Sequence, residues 1–229
     1  MSTTTIEIVW QCDSALVVNK PAGLSTQAPA PHVSLESILR EQLAGRTSYV
    51  AFPHRLDRCV GGLILVALTK QAARLLGEQF EARRVTKIYT AVVTGSVQPT
   101  SARWLDWLRK VDDEARGEAV VDNDAAKAKG AKPAELDMRV VSEIARDGVP
   151  RCILELRPLT GRMHQLRIQT SVRGHPILGD QLYGSSETTA GLAADGIALQ
   201  ASGLEFNSPK NGRRVVVQCT PPTWLPSQE

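Results

Sequence analysis

Leu63-Ile64-Leu65-Val66-Ala67-Leu68 is an unbroken apolar run of strand length, entered from the polar cluster His54-Arg55-Leu56-Asp57-Arg58 through Gly61-Gly62. A run this short and this uniformly apolar suits a strand buried on both faces. Thr69 follows as the N-cap of a helix predicted to reach about Arg84, with Ala72, Ala73, Leu76 and Phe80 turned inward. Lys87 to Val97 (KIYTAVVTGSV) then alternates, so a second strand should set Tyr89, Ala91 and Val93 on one face and Ile88, Thr90 and Val92 on the other.

Upstream of this nucleus, Ala15 to Asn19 reads as a strand that enters a turn at Lys20-Pro21-Ala22-Gly23. Ser34 is placed to cap a helix from about Leu35 to Leu43, with Gly45 past its end. Downstream, the polar and charged stretch Ser101 to Pro133 is expected to be a hairpin or loop excursion rather than core. Strands resume at about Glu135 to Ile144, Arg151 to Leu156, Ala198 to Phe206 and Arg213 to Cys219, and a helix capped by Thr160 and ending near Gly174 separates them. Because the strands come in runs and not in regular strand–helix alternation, the chain is expected to be α+β, a mixed and largely antiparallel sheet with flanking helices.

The composition agrees with a soluble domain: among 229 residues, 42% are hydrophobic and 22% charged. No apolar run approaches a membrane span, and the opening MSTTTIEIVW lacks a signal-peptide pattern, so the expected compartment is the cytoplasm. The formal charge of +3 is too small to demonstrate a nucleic-acid partner. Its distribution is uneven, because Arg151 to His175 holds Arg151, Arg157, Arg162, Arg167 and Arg173 against the single acid Glu155. Asp106 to Asp124 reverses the sign and is expected to stay away from any anion. Cys12, Cys59, Cys152 and Cys219 form no C-x-x-C pair and read as reduced and mostly buried.

Several chemistries lack their sequence anchor. Neither a phosphate-cradling G-x-x-x-x-G-K-[ST] loop, a G-x-G-x-x-G turn nor a G-x-S-x-G elbow is present, and His32, His54, His164 and His175 do not have metal-ligand spacing. Two polar clusters remain. In the first, Asp57 lies among His54, Arg55 and Arg58, and neighbouring positive charge would keep its carboxyl ionised, as a nucleophile or base requires; a surface turn with a salt bridge would look the same. In the second, Leu159-Thr160-Gly161-Arg162-Met163-His164-Gln165-Leu166-Arg167-Ile168, a helix capped at Thr160 would align His164 with Arg167. Arg162 would then stand near the positive helix end, which implies an anionic partner, although solvated helix residues would give the same pattern.

Four blocks in order, HRLD at 54–57, KIYTAVVTG at 87–95, LTGRMHQLRIQ at 159–169 and GHPILGDQLYG at 174–184, together with NKPAGL at 19–24, resemble the RluA family of RNA pseudouridine synthases. The resemblance implies one catalytic domain over residues 1–229 with a central cleft, no S4 domain, no metal, no cofactor, and an RNA substrate, ribosomal or transfer, handled by a monomer without a membrane. It implies that Asp57 is the catalytic aspartate, Tyr89 the tyrosine that stacks on uracil and Arg167 the arginine that pairs with the aspartate. It gives Arg55 the space of a flipped base, and places His54, Arg58, Arg162, His164 and Lys20 along the RNA. Two features depart from the family pattern: Val60-Gly61 stand where Thr-Ser is usual, and Gln169 where histidine is usual. A non-catalytic RNA-binding protein on the same scaffold is the main alternative, and a glycoside or nucleoside hydrolase pairing Asp57 with Asp180 is another.

Overall fold

The computed structural model describes residues 5–146, 148–185 and 191–225. In chain order the elements are β1 (Glu7–Gln11), β2 (Ala15–Lys20), α1 (Leu35–Gln42), β3 (Gly61–Ala67), α2 (Lys70–Glu81), β4 (Thr86–Thr94), β5 (Ser101–Lys110) and β6 (Gly117–Val120). There follow α3 (Asp124–Ala128), β7 (Lys132–Arg146), β8 (Val149–Pro158), α4 (Gln165–Ser171), a single 3-10 turn (Gln181–Tyr183), β9 (Leu199–Asn207) and β10 (Arg214–Gln218). The α+β class and the mixed, mostly antiparallel pairing agree with the expectation. The chain divides into two compact units, the first comprising Met1–Lys87, Ala193–Gly196 and Gln200–Pro221, the second Ile88–Leu192, Ile197–Leu199 and Pro222–Glu229.

In the first unit β2 runs antiparallel to both β1 and β3, and β3 meets β9 in parallel through Gly61↔Gln200 and Gly62↔Ala201. Ala15 to Val18 and Leu63 to Val66 are all fully buried, which explains why β2 and β3 read as continuous apolar runs instead of alternating ones. One face packs Val17, Leu63 and Leu65 with Leu76 of α2 and Phe206 of β9. Gly62 is dictated by this packing: its φ is +114°, and a Cβ there would lie 2.3 Å from the Ala201 carbonyl oxygen.

Both helices begin where their caps predict. Ser34 accepts from the Ser37 amide in a capping box, and Thr69 accepts from the Ala72 amide. α2 stops at Glu81, three residues before the expected end, because Arg83 turns left-handed at φ +54° and the Arg84 amide folds back to Gln79 O. Gln79 is buried and exchanges two hydrogen bonds with the backbone of Asn207, tying the helix to the end of β9.

In the second unit the order is β4-β8-β7-β5-β6, antiparallel at each described pair. Here the expectation for residues 101–133 needs correction: the hairpin forms, but β5 is a full member of the sheet, paired with β7 from Ser101↔Arg139 to Leu108↔Lys132. Trp104 and Leu108 are buried, and Leu108 packs with Ala134 and Ile168. Of the charged residues that suggested an excursion, Arg103 lies on the opposite face and pairs with Asp137 across the strands, while Asp106 shares the face of Trp104 and Leu108.

Thr160 does not cap α4. That position belongs to His164, in left-handed backbone at φ +51°, and the helix starts at Gln165. Thr160 instead accepts from the Glu135 amide and donates to Gln165 Oε1, stitching the chain entering α4 to β7.

Candidate active site

Asp57 follows Leu56, whose backbone is held by Thr26 Oγ1 on both its N–H and its carbonyl, and the Asp57 carbonyl accepts from the Val60 amide in a tight turn. Beneath this loop lies Lys20, entirely buried at 0% exposure, with its ammonium bonded to the carbonyls of Pro21 at 3.0 Å and Leu24 at 2.7 Å and near that of Arg58 at 3.4 Å. Burial lowers its pKa to about 8, against the pull of Cys59 and Asp57, which favour the charged form. Lys20 therefore does not face RNA phosphates, as the sequence suggested. It joins the turn at 21–24 to the loop bearing Asp57.

His54 also changes role. Its ring stacks on Phe80 at 4.8 Å, and its Nε2 accepts from the Leu65 amide at 2.9 Å. Burial, with Lys87 nearby, drives its pKa down to about 3, so it is a neutral imidazole protonated on Nδ1 and adds no positive charge beside Asp57. Arg55 is exposed. Arg58 is exposed too but already engaged, with Nε on Gly23 O and Nη2 on Asp195 at 2.5 Å. Val60, at 3% exposure, is a core residue, while nothing in the packing requires glycine at 61, where a Cβ would make contacts of 3.4 Å.

In the second unit Tyr89 sits half-buried on β4 opposite Leu156 of β8. Arg167, on α4, is 6% exposed, and its Nε and Nη2 donate to the two oxygens of Asp180 at 2.7 and 2.8 Å. Asp180 is 1% exposed and places both oxygens on this guanidinium, so it is not a solvated second carboxylate of the kind a hydrolase would use on water. The Arg167 guanidinium also lies 5.0 Å from the centre of the Tyr183 ring. Arg162 donates through Nε to Pro133 O, and His164 Nδ1 meets Tyr183 Oη at 2.9 Å.

The arginine surplus of residues 151–175 is thus halved by two acids from outside that stretch. Asp180 takes Arg167 and Asp106 takes Arg173, while Arg157 pairs with Glu155 within it. Arg151 is buried. Asp106, expected to stay apart with its acidic neighbours, ends a buried polar chain: Thr160 donates to Gln165, Gln165 to Gln169, Gln169 to Asp106 at 2.7 Å, and Arg173 donates to the same carboxylate oxygen. Gln169 is fully buried and also approaches the carbonyls of Trp104 and Ala134. An amide serves this position because it offers two donors and an acceptor, whereas a neutral imidazole offers one of each.

Asp180 and Tyr183 lie within GHPILGDQLYG, and nothing local in the sequence attaches them to Arg167. Separations of 13 and 16 residues across a glycine-rich turn carry no periodic signal. Of the four thiols only Cys152 is buried, the other three being intermediate, so burial is less general than expected. Among the described residues no group of His, Cys, Asp and Glu is arranged to hold a metal ion, and no helix is long and apolar enough to cross a membrane.

A family model described as RNA pseudouridylate synthase matches residues 14–172. The dual-specificity RNA pseudouridine synthase RluA of Escherichia coli (strain K12) is 35% identical over 212 residues, covering 90% of this chain and 88% of the relative. Its counterpart in Vibrio vulnificus is 33% identical over 224 residues, covering 93% and 83%. The solved structure of human RNA pseudouridylate synthase domain containing 1 superposes with a TM-score of 0.78 at 29% identity, over 99% of this chain and 87% of that one.

Proposed function

The chain belongs to the RNA pseudouridylate synthase family, and from that membership we infer that it isomerises selected uridines of structured ribosomal or transfer RNA to pseudouridine. The observation that carries the reading is the family match over residues 14–172, a range that includes Asp57, Tyr89 and Arg167.

The reaction breaks the C1′–N1 bond of uridine, turns the uracil and joins its C5 to C1′. The proton leaves C5 and N1 gains one, so the RNA keeps its mass. The target base must leave its stack, at a cost of a few kcal/mol that phosphate contacts offset. Arg55, exposed beside Asp57, fills the vacated space. Asp57 acts as the carboxylate at the ribose, by attack on C1′ or by assisting deprotonation of the sugar. Tyr89 supplies a flat surface for the uracil and an OH to accept or relay the C5 proton. Arg167 keeps the Asp57 carboxylate charged and aimed, since a carboxylate desolvated without a cation takes up a proton. Arg58, Arg162 and His164 lie along the RNA, and the enzyme works as a monomer in the cytoplasm.

The departures from the family pattern give the non-catalytic alternative no foothold, since Val60 is absorbed into the core and Gln169 into a satisfied amide chain. The test is incubation with ribosomal and transfer RNA transcripts. Unchanged RNA mass with a new carbodiimide-dependent reverse-transcription stop supports isomerisation; release of free uracil supports hydrolysis, and neither product supports the non-catalytic scaffold.

A further inference from the structure

Two contacts on Arg167 differ in kind, an ion pair and a ring. Asp180 grips the edge of the guanidinium, while the guanidinium carbon lies over the Tyr183 ring, 5.0 Å from its centre. The tyrosine is itself fixed at three points. Its carbonyl accepts from Ser171 Oγ of α4 at 2.6 Å, its Oη accepts from the Gly117 amide at 2.9 Å and lies 3.2 Å from Gly117 O, and the same oxygen meets His164 Nδ1 at 2.9 Å. Gly117 is the first residue of β6, and its backbone meets Tyr183 in a place with little room for a side chain. A Cβ there would come within 3.0 Å of Ile168 Cδ1 on α4 and 3.1 Å of Arg109 O.

We propose that Tyr183 is a positioning residue for Arg167, its ring setting the plane of the guanidinium and its hydroxyl locking that ring to the β5–β6 hairpin at Gly117. A bidentate carboxylate fixes a guanidinium within the plane they share but resists tilting of that plane weakly; an aromatic face beneath it opposes the tilt. The arrangement also gives the hairpin a part in the reaction, because displacing residue 117 releases the ring under the arginine. This inference rests on the reading that Arg167 serves the reaction.

The test combines turnover with a measurement that does not depend on activity. In ¹⁵N-labelled protein the Arg167 Nε–H resonance, identified by its disappearance in Arg167→Lys, should be displaced by the Tyr183 ring current in wild type and in Tyr183→Phe. It should move to an ordinary position in Tyr183→Leu. On RNA, Tyr183→Leu should lower kcat by about ten-fold or more with KM within about two-fold, the signature of an interaction that matters in the transition state. Tyr183→Phe, which keeps the ring, should recover most of that loss. Gly117→Ala, far milder for folding than loss of the ring, should reproduce the Tyr183→Phe defect, and the double variant should be no worse than either.

If wild type is active and Tyr183→Leu keeps both its kcat and its Arg167 resonance, the proposal is overturned. Equal kcat in the Phe and Leu variants overturns the role of the ring, and additive losses in the double variant overturn the link to Gly117. A wild-type chain that forms no pseudouridine refutes the reading of Arg167 as a residue of the reaction, while the resonance still decides whether Tyr183 positions it.

Discussion

Asp180 and Arg167 form a buried bidentate pair, 2.7 Å from Oδ2 to Nε and 2.8 Å from Oδ1 to Nη2, with both side chains almost completely excluded from solvent. Breaking a buried pair from one side strands the other charge, and this typically costs about 3–5 kcal/mol. Asp180→Ala should therefore lower stability by that order and cost activity along with it. Arg167→Lys keeps the charge but not the fork, so it should fold better than Asp180→Ala and still lose most of kcat. Urea titration of both variants beside turnover on RNA checks the order.

His54 makes the protein acid-labile. Its pKa is about 3 in the folded chain and 6.5 when unfolded, so between those values the unfolded state binds the extra proton. The stability this contributes is complete above pH 6.5 and declines as pH falls toward 3, by a few kcal/mol in all. His54→Gln retains an acceptor for the Leu65 amide and does not titrate. Its unfolding free energy should vary less than wild type across that window, measured by denaturant titration at stepped pH.

Two adjacent glycines should respond oppositely to substitution. Gly62→Ala drives a Cβ to 2.3 Å from a backbone oxygen and forces φ +114° on an L-residue, and should cost several kcal/mol, lowering Tm by about 10 °C or more. Gly61→Ser, which restores the family's hydroxyl, meets contacts of 3.4 Å and should shift Tm by no more than about 4 °C. Thermal unfolding of the two proteins in parallel decides it.

What was legible in the sequence was what local chemistry controls. Ser34 and Thr69 announce α1 and α2 because a capping hydroxyl acts within three residues, and the β2 and β3 runs announce burial on both faces. The start of α4 was hidden because His164 occupies a left-handed conformation that no side-chain cap signals. β5 was hidden because charged residues fall on both of its faces while Trp104 and Leu108 alone are buried. Arg167 and Arg173 misled for a common reason: their acidic partners, Asp180 and Asp106, lie outside the stretch that holds them. Asp106 binds Arg173 across 67 positions, so this neutralisation is not written near the charge it cancels.

RNA binding should weaken as salt rises, since phosphate neutralisation releases counterions. The internal pairing of Arg157, Arg167 and Arg173 means the slope should be shallow, on the order of two to four phosphates' worth. Arg55→Ala, an exposed residue without a described partner ion, should bind RNA more weakly with little change in Tm. Filter binding from low to physiological salt, wild type beside variant, measures both.

The central claim is that the Asp57 carboxylate performs the chemistry, and the most direct measurement is tritium release from RNA labelled at uridine C5 by wild type and Asp57→Asn. The account predicts release by wild type and none by the variant, with the variant's RNA affinity and Tm close to wild type. Release by Asp57→Asn at a rate near that of wild type would contradict it.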